Sequence, residues 1–98
     1  MKGWTEDGIF EALKHILADA LEIETAIIQP DSMVMKELGA ESIDILDIAF
    51  RIETRFDIKI PEQAFSVKPE DIPKGKSANE ILTVQAILDF IKNRLEGQ

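Results

Sequence analysis

The sequence has no cysteine, which excludes a disulfide framework, a thiolate metal site and a nucleophilic thiol of the chain's own. Any thiol chemistry must be borrowed. Basic residues are scarce beside acidic ones, 11 Lys and Arg against 19 Asp and Glu, for a formal charge of −8. That balance disfavours nucleic acid and anionic membrane surfaces and favours a basic protein partner. No apolar run is long enough to span a bilayer, and residues 1–8 lack the apolar core of a signal peptide. The expectation is no stable membrane insertion and a cytoplasmic location. Catalytic patterns are missing as well. The single histidine, His15, has no Ser, Cys, Asp and His constellation around it in sequence and reads as a surface or half-buried structural residue. Ser42 lacks the Gly-x-Ser-x-Gly elbow of hydrolases, and the acidic residues lack the Asp-x-Asp-x-Asp-Gly spacing of a calcium loop.

What is present suits one small folded unit. At 98 residues and 45% hydrophobic content, the chain has enough apolar side chains for a single core, and residues 1–98 are expected to form one domain. Ile9, Phe10, Leu13, Ile16, Leu17 and Ala20 recur at three- and four-residue steps and predict an amphipathic helix over 5–21, with Trp4 as an apolar anchor of the amino end. Residues 22–41 keep no period and contain Pro30, Asp31, Ser32 and Gly39, so they read as a long structured loop held to the core by Ile23, Ile27 and Leu38. A second helix begins at or beside Ser42, with Ile45, Ile48, Ala49, Ile52 and Phe56 on one face, and ends near Asp57. Ile58 and Ile60 alternate like a strand, but the stretch meets Pro61 and reads as an extended connector. Residues 62–80 mix Pro69, Pro73 and Gly75 with Lys68, Lys74 and Lys76, giving a loop with room for one helical turn. The last helix carries Val84, Ile87, Leu88, Ile91 and Leu95, ends at Gly97, and has two candidate starts: a capping box of Ser77 with Glu80, or a cap at Thr83. The fold class is all-α, a bundle of three main helices with space for a short fourth and a long first loop.

Chemistry concentrates at the start of helix two. The first N–H groups of a helix are unpaired and its dipole is positive there, so an anion attached to a serine at that point is electrostatically favoured. Taken without its neighbours, Ser42 reads simply as an N-cap contributing about 1 kcal/mol. The neighbours add more. Glu37-Leu38-Gly39-Ala40-Glu41-Ser42-Ile43-Asp44 resembles the attachment motif of acyl carrier proteins. Ile45-Leu46-Asp47-Ile48, then Phe56, Ile58-Lys59-Ile60-Pro61 and Thr83-Val84-Gln85 extend the likeness in order from Leu38 to Ile91. Glu41 and Ile43 stand where that family most often has Asp and Leu, changes that keep charge and apolarity.

The resemblance implies an acyl-carrier-like four-helix bundle whose Ser42 bears a 4′-phosphopantetheine arm. In that scheme the Ser42 hydroxyl attacks the pyrophosphate of coenzyme A on a separate Mg²⁺-dependent phosphopantetheinyl transferase, the holo-carrier synthase, and the carrier catalyses nothing. The arm's thiol then holds an acyl group as a thioester for ketosynthase and acyltransferase partners. Glu41, Asp44, Asp47 and Glu53 would meet basic partner helices, each of them alternatively a solvated helix charge. Ile43, Leu46 and Phe50 map to apolar contacts beside the arm, with ordinary core packing an alternative for Ile43. Arg51 and Arg55 interrupt the acidity and depart from the pattern. Segment 62–80 is longer than its counterpart in carriers of general fatty acid biosynthesis. Leu46-Asp47-Ile48-Ala49-Phe50 with Ile58-Lys59-Ile60-Pro61-Glu62-Gln63 looks more like specialised carriers of long hydroxylated chains for lipid A and lipopolysaccharide. On this basis 62–80 is either a lid responding to the cargo or a passive insertion. A carrier of aminoacyl or polyketide groups, or an unmodified helical interaction module, are the competing functions.

Overall fold

The computed structural model describes residues 3–61 and 82–97. These residues form three α-helices, α1 (Glu6–Leu21), α2 (Ser42–Phe56) and α3 (Val84–Glu96), with a 3₁₀ turn at Thr25–Ile27. An isolated antiparallel bridge joins Met33 to Thr83, and the small all-α class expected from the sequence is what the chain adopts. The loop expected at 62–80, its short helix and the Ser77–Glu80 cap lie outside the described residues. No described helix is long and apolar enough to cross a membrane.

Local chemistry explains each helix. The Thr5 hydroxyl accepts the Gly8 N–H at 3.0 Å to open α1, and Glu6 and Asp7 place negative charge at its positive end. Ile9, Leu13, Ile16 and Leu17 then line its inner face. From α2 come Ile48, Ile52 and Phe56, and from α3 Val84, Ile87, Leu88, Ile91 and Leu95, all buried in one cluster. Helix α1 packs against both of the others.

Two contacts fix the directions. The ring of Trp4, just ahead of α1, lies 4.6 Å from that of Phe56 at the end of α2. Lys92, near the end of α3, donates to Glu6 at the start of α1 at 3.0 Å. Helix α1 is therefore antiparallel to α2 and to α3, and these two run parallel and begin at the same end of the bundle. That order accounts for the long first connection.

The connection is tied down differently from the sequence expectation. Leu38 is buried and Ile23 packs at the core margin, as expected, but Ile27 is 53% exposed and is not an anchor. The 3₁₀ turn carries Ile27 outward and delivers Ile28 to the core, and Val34, fully buried, holds the middle of the loop. Loop carbonyls also complete the start of α3. Val84 donates to Ser32 O at 3.0 Å and Gln85 to Pro30 O at 2.8 Å, while the Thr83 hydroxyl accepts from Ala86 at 3.1 Å. Three helix-start donors that would lack partners are satisfied in this way. Thr83 is the cap of α3.

Because Ile48 is fully buried and Ile43 exposed on the same helix, their truncations should separate sharply. Ile48→Ala should lower the unfolding free energy by about 2–5 kcal/mol, and Ile43→Ala by under about 0.5 kcal/mol. Urea denaturation of both variants checks this.

Candidate functional site at the start of α2

The segment leading into α2 is built residue by residue. Leu38 and Ala40 are both buried, and their amides bond back to the loop, Leu38 to Met33 O at 3.1 Å and Ala40 to Val34 O at 3.1 Å. Between these anchors Gly39 turns the chain at φ +83°, a conformation that side-chain-bearing residues adopt at a cost. A Cβ at Gly39 would meet nothing within 4 Å, so the backbone angle alone calls for glycine. The chain leaves this turn at a fixed place and angle, with Glu41 next.

Glu41 is the N-cap of α2 and Ser42 its first helical residue. The reading of Ser42 as the cap itself is therefore corrected. Glutamate is a weak capping residue, which hid the role, yet Asp44 signalled it, since its carboxylate accepts the Glu41 N–H at 2.8 Å. The first bond of the helical ladder runs from Ile45 N–H to Glu41 O at 3.1 Å. The N–H groups of Ser42 and Ile43 thus precede the ladder, at the positive end of the helix dipole.

Helix α2 has two apolar faces. Opposite the buried Ile48, Ile52 and Phe56, the side chains of Ile43, Leu46 and Phe50 are 72%, 57% and 67% exposed and follow one another along a single stripe. Ile43 is thus surface and not core. The four candidate acids are not one cluster. Glu41 and Asp44 sit together at the helix start, and the Asp47 carboxylate meets Arg51 Nε at 3.0 Å. Glu53 lies on the flank away from Arg51 and Arg55, where its carboxylate accepts the Ile60 N–H at 2.8 Å and holds the connector against the helix. A carboxylate engaged by a backbone amide is a structural tie, a role the sequence pattern concealed.

An exposed apolar stripe edged by acids thus begins where Ser42 opens α2. Residues 11–69 match the family described as "Phosphopantetheine attachment site". Over 71 residues the chain is 37% identical to "Acyl carrier protein AcpXL" of Rhizobium etli, covering 72% of this chain and 74% of that protein. The chain belongs to the acyl carrier protein family, whose cofactor is 4′-phosphopantetheine and whose members work with phosphopantetheinyl transferases and acyl-processing enzymes.

The start of α2 fits that cofactor. Glu41 and Ile43, on either side of Ser42, are exposed. A phosphodiester at the first turn would gain about 0.3–1 kcal/mol from the helix dipole.

Gly39→Ala should destabilise the fold by about 1 kcal/mol through backbone strain alone. Thermal unfolding of the purified variant measures it. A loss several times larger would mean that the turn carries packing which its empty surroundings do not show.

Proposed function

We propose that Ser42 is the residue that carries the 4′-phosphopantetheine, and that the chain delivers acyl groups on it without catalysing a reaction itself. One observation carries this reading: Ser42 is the first residue of α2, flanked by exposed neighbours and lying inside the matched span 11–69. When bound, the arm supplies the thiol that a cysteine-free chain lacks, and an acyl group rides on it as a thioester.

The chain's own residues present the arm. Leu38, Gly39 and Ala40 fix where helix two begins, and the dipole of α2 favours the phosphate. Ile43, Leu46 and Phe50 offer apolar surface to the enzyme that takes the cargo. Glu41, Asp44 and Asp47 draw in basic partners, raising the rate of encounter more than the final affinity. Glu53 stands beside this set as a charge whose placement is fixed by Ile60. The partners are a phosphopantetheinyl transferase for loading, with a ketosynthase and an acyltransferase for the cargo, in the cytoplasm where coenzyme A is supplied.

For the pathway, the sequence pattern Leu46-Asp47-Ile48-Ala49-Phe50 and Ile58-Lys59-Ile60-Pro61 favours specialised long-chain acyl transfer toward lipid A over general fatty acid biosynthesis. The likeness to an acyl carrier protein keeps the cargo within acyl groups.

Incubation with coenzyme A, Mg²⁺ and a phosphopantetheinyl transferase should add one arm to the wild-type mass and nothing to Ser42→Ala. Since Glu41 and not Ser42 caps α2, this variant should keep its stability to within about 0.5 kcal/mol. A Ser42→Ala protein that still gains the arm refutes the assignment. Asp47→Lys should slow loading at low salt and approach wild type near 1 M salt, as the Debye length falls from about 10 Å to about 3 Å. Loading rates at the two ionic strengths decide between steering and a direct contact.

A further inference from the structure

Beside the exposed stripe of α2 runs a groove of about 520 Å³ between α1 and α2, which the carrier function leaves unexplained. Its apolar floor includes Ile16 and Phe50, and its walls carry His15, Arg51 and Arg55, with Asp19 the one carboxylate among the lining residues. On a chain with a formal charge of −8, two arginines beside one lining carboxylate are a local departure from the prevailing acidity. Both arginines are held in place. Arg51 meets Asp47 through Nε, a bond that does not engage its two terminal amino groups. The Arg55 guanidinium lies 4.7 Å over the Trp4 ring, and stacking of this kind leaves the in-plane N–H donors at its edge available to a carboxylate. Phe50, 67% exposed, belongs to the groove and to the stripe at once.

We propose that this groove seats a partner-protein segment in which a large apolar side chain stands next to a glutamate or aspartate, so that the docking surface of this carrier reads a carboxylate at its α1 edge. The inference rests on the carrier reading and adds to it. The apolar side chain packs on Phe50 and Ile16, and the carboxylate meets Arg51 and Arg55. Partners that offer only basic residues engage Glu41, Asp44 and Asp47 but leave the arginines facing like charge, and this separates them from partners that are basic at the centre and acidic at one edge. A protein segment suits the groove better than an anionic lipid surface. Asp19 lines the same groove and Asp47 is paired with Arg51, so on a chain of formal charge −8 a broad sheet of negative charge would be repelled, whereas one inserted carboxylate meets the guanidinium groups first.

The test is a titration of the ¹⁵N-labelled full-length chain with a helical peptide carrying a central Phe flanked by Glu, and with its twin carrying Lys in place of Glu. The acidic peptide should shift the signals of His15, Phe50, Arg51 and Arg55, and the Lys twin should not. Arg51→Glu with Arg55→Glu should weaken the acidic peptide about tenfold, as expected when two exposed attractions become repulsions. Arg51→Gln with Arg55→Gln serves the same purpose should the reversed pair unfold the chain, and should weaken it several-fold. Equal shifts from the two peptides, no shift at these residues, or shifts produced by phosphatidylglycerol vesicles and not by the acidic peptide would each overturn the proposal. Mass gain from coenzyme A on the same wild-type sample reports the carrier reading separately, so failure of one is not mistaken for failure of the other.

Discussion

The hydrogen bonds from Val84 and Gln85 to the carbonyls of Ser32 and Pro30 are the constraint on which the rest of this fold leans. A loop of residues 22–41 has no ladder of its own, and the start of α3 has donors with no partner in the helix. Each deficiency answers the other. With the loop fastened there, Val34 drops into the core and supplies the carbonyl that takes the Ala40 amide. The position of α2, and so of Ser42, follows from a contact made by a helix that begins far along the chain.

Helix α2 must meet two apolar demands on opposite sides. Its inner residues hold it against α1, while Ile43, Leu46 and Phe50 remain in water. An exposed stripe of this kind invites self-association unless something opposes it. Glu41 and Asp47 stand exposed along it, and two copies meeting stripe to stripe would bring like charges together. A basic partner would be drawn in by the same charges. The acids therefore oppose pairing of the stripe with a second copy of itself.

The helices were legible because their apolar residues recur at helical spacing, and every residue proposed for the inner face of α3 is buried. The position of Ser42 at the first turn of α2 was legible too, from the glycine before it and the acids after it. What the sequence concealed has a common physical origin. Ile27 and Ile28 are adjacent and chemically identical, and only the 3₁₀ turn decides which of them faces in. Glu53 has the spacing of a surface acid, and its bond to Ile60 depends on the chain folding back after Asp57. The groove beside α2 joins residues of α1 and α2 that are far apart in sequence, so Arg51 and Arg55 appeared only as breaks in an acidic pattern. Periodicity reports which side of an element is apolar. It carries no information about where irregular backbone turns, or about what one helix places opposite another.

The ring of Trp4 against Phe56 and under Arg55 gives the molecule a built-in optical probe. Trp4 is the sole tryptophan and the chain has no tyrosine, so intrinsic emission comes from this one indole. The indole touches the last turn of α2, the helix that carries both Ser42 and the exposed stripe. A shift of α2 against the amino end would alter the indole's surroundings and so the colour or intensity of its emission. Events at the far end of that helix that move it are thus open to observation in solution without any added label.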